Sequence, residues 1–473
     1  MSDKQRGAQP TTDQRALHAA DQARVLTLLR DYGWNANSFQ VLEPSFRYYF
    51  DGEDACVAYV ATAGAWVAAG APIAPPNRLN EVARRFVAAA RSQGRRAVFF
   101  GTEQRFVELA PFSTIMIGEQ PEWRPAAWQE TLRGSRSLRE QLRRARAKGV
   151  RISAVQAHEI VDPEQPRRRA IEALIARWLG SRSMAPMGFL VRVHLFDFAE
   201  ERRIFVAETD AGLCGLLGLI PVYARDGWFL EDLLRAPEAP NGTSELLIDR
   251  ALRETAADGC EYVTLGLAPL AGDVAGWLRT ARKLGGHLYD FSGLRTFKAK
   301  FVPYRWAPIY LSFPAGRSSY LAIYDSLAAF AQGGVLRFGI ATLLRGPDVV
   351  LRALLLALLP WTLALASLDA ARFFPAAAVK WAWVGLDVAL IAALAWLNRR
   401  FRPGLARLLT YVIAGDALLS LVEALFFNLP RAHGGVELSA LAVAVLAPAL
   451  AAIVLENARR RRASGTRNPP APY

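Results

Sequence analysis

The stretch Trp228–Leu267, WFLEDLLRAPEAPNGTSELLIDRALRETAADGCEYVTLGL, decides the fold. It reads as strand, loop, helix and strand in turn. Trp228–Leu234 is a short apolar run, Ser244–Asp258 a helix, and Tyr262–Leu267 a second short apolar run. Between the first strand and the helix lies Pro237–Gly242, PEAPNG, a loop with two prolines and one glycine. A strand that returns to a second strand through a helix is the building unit of an α/β sheet.

The same grammar extends outward. On the N-terminal side, Pro166–Leu179 reads as a helix, and Ile204–Glu208 and Gly212–Val222 as strands. It occurs again nearer the start of the chain. Ala55–Ala61 and Ala65–Ala69 read as paired strands, Arg78–Gln93 as an amphipathic helix, and Arg96–Gly101 as a strand. Leu79, Val82, Phe86 and Ala89 recur at helical spacing in that helix. Two similar mixed units meeting near residues 110–150 are the simplest account, an α/β or α+β duplicated module. At the junction, SRSLREQLRRARAKGV (Ser135–Val150) crowds Arg136, Arg139, Arg143, Arg144, Arg146 and Lys148 onto one helix, with Leu138 and Leu142 as a thin apolar stripe and Gly149 as C-cap. This helix is either a solvated face or a phosphate-binding face for RNA or lipid. It has no interleaved aromatics, which argues against base stacking.

Four apolar runs follow, at Val349–Leu368, Pro375–Leu397, Gly404–Phe427 and Leu438–Leu455. A run of about 20 residues crosses a hydrocarbon core of about 30 Å. Arg352 can snorkel to an interface, and Trp381, Trp383 and Trp396 suit interfacial anchoring. Arg399, Arg400, Arg402 and Arg407 crowd one loop, and Arg459, Arg460, Arg461, Arg462 and Arg467 the C-terminus; the other two loops hold Arg372 and Arg431. The positive-inside rule therefore puts both rich segments, and with them residues 1–340, in the cytoplasm. Asp387, Asp416 and Glu423 fall inside the runs; they are either functional or paired with Lys380, an arginine or another polar group. The N-terminal segment lacks the apolar core of a signal peptide. The domain plan is a disordered lead-in (1–24), a first module (25–135), a second module with the basic helix and the catalytic site (136–315), a linker (316–348), the membrane region (349–456) and a basic cytoplasmic tail (457–473).

Bulk properties agree with an anionic partner. The 473 residues carry a formal charge of +14, which favours nucleic acid, phospholipid head groups or phosphorylated metabolites. Cys56, Cys214 and Cys260 form no CxxC pair, so neither a disulfide framework nor a thiolate metal site is expected. His18, His158, His194, His287 and His433 are scattered, without HExxH or paired spacing, so no metal site is expected.

From Trp228 to Leu311 the sequence becomes specific. FLEDLLRAPEAPNGTSELLIDRAL, YVTLGLAPLAG and YDFSGLRTFKAKFVPYRWAPIYLSFP resemble the C-terminal synthase domain of bacterial phosphatidylglycerol lysyltransferases. The GLxxFKxKFxPxxW pattern, Gly293 to Trp306, is the most specific part, and VAYVATAGAWVAAGAPIAPP and SLREQLRRARAKGV match more loosely. The resemblance covers roughly residues 25–315. It implies tandem acetyltransferase-like (GNAT-like) modules, here followed by an all-α transmembrane bundle of four helices. It implies a transferase that moves an amino acid from aminoacyl-tRNA to phosphatidylglycerol at the bacterial inner membrane, with aminoacyl-tRNA and anionic phospholipid as partners and no cofactor. Two departures stand out. Gly70-Ala71-Pro72 replaces the family's Gly-Asp-Pro, and the membrane helices follow the synthase region instead of preceding it. Anchoring, not product flipping, is therefore the role expected of them.

Such a transfer needs groups that orient two substrates, remove a proton and stabilise an oxyanion. Asp232 and Arg235 match the family's Asp-x-x-Arg. Asp232 suits the aminoacyl ammonium or proton transfer, and Arg235 a tRNA or lipid phosphate. Lys298 and Lys300 suit phosphate or the oxyanion. The plainer readings are a local salt bridge for the first pair and solvated surface for the lysines. Tyr289, Phe291, Phe297, Phe301 and Trp306 are read as core. Leu265–Leu270 is read as a pocket wall. PEAPNG stands where an acetyltransferase carries its glycine-rich pyrophosphate loop, but one glycine and two prolines leave few free amides. An acyltransferase using acyl-CoA or acyl carrier protein, and a non-catalytic lipid- or RNA-binding membrane protein, are the competing readings.

Overall fold

The structure, a computed structural model, describes residues 12–181, 187–285, 291–331, 334, 338, 347–367, 374–431 and 434–464. Two compact units result: an α/β unit of Met1–Gly180 and Pro186–Val335, and a helical unit within Leu336–Asn468.

The α/β unit is built on one sheet. Its strands are β1 (Arg47–Phe50), β2 (Cys56–Ala61), β3 (Ala65–Ala69), β4 (Arg96–Glu103), β5 (Ser113–Trp123), β6 (Arg151–Val155), β7 (Arg203–Thr209), β8 (Gly212–Val222), β9 (Gly227–Arg235), β10 (Tyr262–Thr264), β11 (Ala268–Pro269) and β12 (Arg305–Phe313). The order across the sheet is β1-β2-β3-β4-β12-β5-β10-β9-β8-β7-β6, with β11 on β5. Among the described residues its helices are α1 (Thr12–Tyr32), α2 (Leu79–Ser92), α3 (Gln104–Leu109), α4 (Trp128–Gly134), α5 (Arg136–Ala147), α6 (Pro166–Gly180), α7 (Thr243–Ala257), α8 (Gly276–Gly285), α9 (Phe291–Ala299) and α10 (Ser319–Phe330).

Two strand pairs are parallel, β3–β4 and β9–β10. Each is bridged by a helix, α2 in the first and α7 in the second, as a parallel pair requires. These are the two copies of the unit read from the sequence. α2 buries Leu79, Val82, Ala83, Phe86 and Ala90 against the first half of the sheet. α7 buries Leu246, Leu247, Ile248, Ala251 and Leu252 against the second. β8 is almost wholly apolar and buried from Cys214 to Val222, as expected of a strand covered on both faces.

The halves interlock. β12 arrives from the C-terminal end of the unit and pairs with β4, whereas β5, from the N-terminal half, pairs with β10. β12 and β5 also pair with each other over Arg305–Phe313. The sheet is therefore continuous across the expected boundary at 135/136, and neither half keeps an inner edge to protect.

The remaining segments differ from the sequence reading in three places. Thr12–Tyr32 is helix, with Val25 and Leu29 fully buried, where a disordered lead-in over 1–24 was expected; residues 1–11 lie outside the described set. The expected linker 316–348 contains α10, which buries Ala322, Asp325, Ser326 and Ala329. Arg96 fastens it, its guanidinium donating to Asp325 Oδ2 and Oδ1 at 2.7 and 2.6 Å. The last helix runs through the expected start of the tail, to Ser464. Arg372, Arg467, His287, His433 and Tyr289 lie outside the described residues, as do the side chains of Phe291, Arg461 and Arg462.

The helical unit has helices at Pro347–Ser367, Ala377–Arg399, Pro403–Glu423 and Gly435–Ser464. By length and composition, two stretches among the described residues can cross a membrane: Ala377–Arg399 and Pro403–Arg431. Leu354–Ser367 and Leu441–Asn457 are shorter apolar stretches that end where the described side chains end, so among the described residues two of the four expected spans qualify by length. Asp387, Asp416 and Glu423, which fall inside the apolar runs, each have a polar partner. Thr362 Oγ1 donates to Asp387 Oδ2 at 3.2 Å, Trp383 Nε1 to Glu423 Oε2 at 2.8 Å, and Ser420 Oγ to Asp416 Oδ1 at 3.4 Å.

Candidate active site

β9 carries two adjacent carboxylates, Glu231 and Asp232, inside an apolar strand. In a regular strand they would point to opposite faces. A β-bulge prevents this. Leu219 pairs with Leu230, but Gly218 pairs with Asp232, leaving Glu231 as the extra residue. The bulge turns both carboxylates toward one side of the sheet. Gly218 leaves the room: a Cβ there would stand 2.5 Å from Leu195 Cδ2 and 3.4 Å from Asp232 Cβ.

Three segments close over this point. From the short turn Phe39–Leu42, Gln40 Nε2 donates to Glu231 Oε1 at 2.7 Å and to the Leu190 carbonyl at 3.1 Å. Arg202 Nη1 donates to Glu231 Oε2 at 2.8 Å, with both side chains almost wholly buried. Glu43 is buried beside them, and neither of its oxygens accepts a hydrogen bond; Asp232 Oδ2 is also without a partner. His194 Nε2 lies 3.8 Å from Glu43 Oε2, and its Nδ1 lies 3.4 Å from Asp197 Oδ2.

Three carboxylates thus lie close together with the buried Arg202 and the partly buried His194, and the exposed Arg192 acts on Glu43 by its charge. Burial is the largest influence on Asp232, and the charges of Glu231 and Glu43 add to it; against Arg202, they hold its carboxyl well above the usual range. Burial likewise pushes Glu43 up to about 7, partly offset by His194. Buried carboxylate oxygens lacking donors are costly, and a cationic ligand such as an ammonium would satisfy them.

The sequence-predicted residues do not all gather here. Asp232 is in the cluster. Arg235, three residues further along β9 and paired with Gly215, faces the other side of the sheet by strand alternation, where its Nη1 reaches Asn241 Oδ1 at 3.5 Å. Lys298 is buried, not solvated surface. Its Nζ is buried and donates to the carbonyls of Leu265, Gly266 and Leu267 at 2.8, 2.9 and 2.9 Å. That occupies all three ammonium hydrogens and pins the turn after β10, while burial lowers its pKa to about 7. Lys300 is half-exposed and pairs with Glu245 Oε1 at 3.6 Å, in the first turn of α7. Phe297 and Phe301 are core, as read; Trp306 is half-buried under the Arg295 guanidinium, 4.5 Å from the ring centroid.

The basic helix α5 is N-capped by Ser135, whose hydroxyl accepts from Leu138 N. Its cations divide. Arg143 and Arg144 clasp Glu140 and hold its carboxyl down to about 2. Arg139 donates to the carbonyls of Leu132 and Arg133. Arg146 donates to the buried Asp249 at 3.1 Å, which Trp128 and Arg253 also bind. Arg136 and Lys148 are exposed, and Lys148 lines a cavity of about 380 Å³ with Arg177, Asp210, Cys214 and Glu238. Gly242 serves packing: it has φ +94°, and a Cβ would stand 2.6 Å from the Gln141 carbonyl of α5.

Glu43, His194, Arg202 and Glu231 are the residues that sequence reasoning missed. One signal was present, the adjacent Glu231-Asp232 pair in an apolar strand. The others come from segments distant in sequence. No group of metal-binding side chains occurs among the described residues, and the three cysteines are buried and unpaired.

Residues 26–313 match the family model described as phosphatidylglycerol lysyltransferase, C-terminal. A phosphatidylglycerol lysyltransferase of Bacillus subtilis is 28% identical over 151 residues, 30% of this chain and 17% of that protein. A lysylphosphatidylglycerol biosynthesis bifunctional protein LysX from Mycobacterium sp. (strain KMS) is 22% identical over 339 residues, 65% of this chain and 30% of that protein. The matches thus span less than a third of either relative. Two solved structures share the fold. One is the C-terminal domain of a protein described as a lysylphosphatidylglycerol synthetase from Agrobacterium fabrum: TM-score 0.58, 22% identity, 67% of this chain and 99% of that one. The other is L-PGS from Bacillus licheniformis: TM-score 0.56, 20% identity, 68% of this chain and 97% of that one.

Proposed function

This chain belongs to the phosphatidylglycerol lysyltransferase C-terminal family, and we propose that it transfers an amino acid from aminoacyl-tRNA to the head group of phosphatidylglycerol. The observation that carries the reading is the extent of the family match, residues 26–313, which takes in every strand of the sheet and the acidic cluster on β9. The cluster suits the donor. Asp232 and Glu43 have buried oxygens without hydrogen-bond partners, and an aminoacyl α-ammonium supplies the missing donors. Arg235 and Lys300, with Arg136 and Lys148 at the ends of the basic helix, serve phosphates of the tRNA or the lipid. Arg139, Arg143, Arg144 and Arg146 support that surface from their internal contacts. Lys298 holds the Leu265–Leu267 turn as one wall of the site. The two qualifying apolar helices belong to a multi-pass anchor in the bacterial inner membrane, with the α/β unit on the cytoplasmic side, where charged tRNA and inner-leaflet lipid meet.

The test is expression in a bacterium lacking such an enzyme, followed by mass spectrometry of its lipids. An aminoacylated phosphatidylglycerol that is absent with Asp232→Ala, and whose formation in membranes is abolished by RNase, is the expected result. Acyl transfer insensitive to RNase would favour the acyl-CoA or acyl-carrier reading. Unchanged lipids would leave a non-catalytic binding protein.

A further inference from the structure

The acidic cluster holds one group with the chemistry of a general base that the family resemblance does not assign. His194 sits in the segment that covers β9. It is three residues before Asp197, whose Oδ2 lies 3.4 Å from its Nδ1, and the hydrogen bond between them holds the Asp197 carboxyl below its ordinary value. An imidazole held at Nδ1 by a carboxylate presents Nε2 as its proton acceptor. Nε2 here faces Glu43 Oε2 at 3.8 Å, too far for a hydrogen bond. The His194 side chain is 22% exposed, against 2% for that of Glu43, so a substrate can reach the ring. Asp232 and Glu43 have oxygens without partners and are assigned above to the donor ammonium; the other neighbouring groups are occupied. Lys298 spends its three hydrogens on carbonyls, Glu231 is bound by Gln40 and Arg202, and the cysteines are buried.

Resting on the transfer reaction proposed above, we propose that His194, oriented by Asp197, is the catalytic base of that transfer, and that Glu43 and Asp197 together stabilise the imidazolium it becomes. In the first step the acceptor hydroxyl oxygen bonds to the ester carbonyl carbon as its proton passes to Nε2. The carbonyl electrons move onto oxygen, giving the tetrahedral oxyanion. In the second step the oxyanion collapses, the bond from carbon to the ribose oxygen breaks, and Nε2 returns its proton to that oxygen. The proton count closes without a cofactor. The charge that appears on the ring falls between two carboxylates from different segments, Glu43 before β1 and Asp197 before β7. The site is therefore completed by the N-terminal half of the sheet as well as the C-terminal half.

The experiment uses the detergent-solubilised full chain with phosphatidylglycerol and aminoacyl-tRNA. His194→Ala is expected to lower kcat about 100-fold or more, the usual scale of a lost general base, with KM for both substrates changed by less than about threefold. Added imidazole should restore at least about tenfold of the loss, because it replaces the missing base. His194→Gln, which keeps a polar side chain without the base, should be as slow as His194→Ala and should melt at the wild-type temperature. Asp197→Asn should lie between wild type and the alanine variant. The inference is overturned if either His194 variant keeps more than about a third of wild-type kcat, or if its lost activity is not recovered with imidazole. A wild-type chain that forms no aminoacylated lipid would instead overturn the transfer reading itself.

Discussion

Glu43 illustrates how one side chain ties chemistry to stability. Its buried carboxyl ionises at about 7 in the folded chain, against an ordinary value of 4.5. Below pH 4.5 both folded and unfolded chains hold the proton, and burial carries no ionisation cost. Between pH 4.5 and 7 the unfolded chain gives up its proton while the folded chain keeps it, so stability falls as pH rises, and above 7 the cost is constant. The neutral isostere Glu43→Gln escapes that cost. It should melt with wild type at pH 4.5 and be more stable by up to roughly 3 kcal/mol at pH 8. Thermal melts of the solubilised full chain at the two pH values check this; equal gaps at both would show that burial of Glu43 does not disfavour its charge. At this scale the sequence was only partly informative. Asp232 was legible through its match to the family's Asp-x-x-Arg. Glu43 and His194 were not, since nothing near either in sequence marks it as buried among charges.

Among the elements, β9 and α5 teach opposite lessons. The apolar pattern of Trp228–Leu234 identified a strand, but the bulge that sets Glu231 beside Asp232 depends on the register with β8, which a single strand does not contain. The Ser135 cap came from the structure, whereas the helix within Ser135–Val150 was legible, with its end at Gly149. Its use was not, because six similar cations have different partners. Removing Arg146, which binds the buried Asp249, is expected to cost about 1 kcal/mol, since Trp128 and Arg253 keep the carboxylate bonded. Arg136→Ala with Lys148→Ala should change stability by less than about 0.5 kcal/mol. It should weaken tRNA binding and flatten the salt dependence of that binding by about one unit of slope. Filter binding at several salt concentrations, beside denaturant melts, separates the two effects. An unchanged slope would remove this helix end from the phosphate contacts.

At the scale of the whole molecule, the chain joins an interlocked α/β unit to an apolar helical unit. The full chain should stay with the membrane pellet through high-salt washing, because burial of apolar helices in lipid is insensitive to screening. A chain ending at Val335 should be soluble and melt cooperatively, since that unit holds its own sheet and core. Extraction of the full chain by salt alone would rule out an integral anchor. The sequence by itself determined what depends on neighbours along the chain. It showed the strand–helix–strand units, the apolar runs, the Gly149 cap and the family motif from Gly293 to Trp306, because periodicity and local hydrogen bonding act within a few residues. Tertiary structure alone decided what depends on register and closure. The exchange of β5 and β12 joins the two halves into one sheet, the bulge sets two carboxylates side by side, and Glu43 and His194 meet there from segments about 150 residues apart. Contacts of that range arise only when the chain buries its apolar faces in three dimensions, and no local pattern encodes which distant side chain comes to rest opposite another.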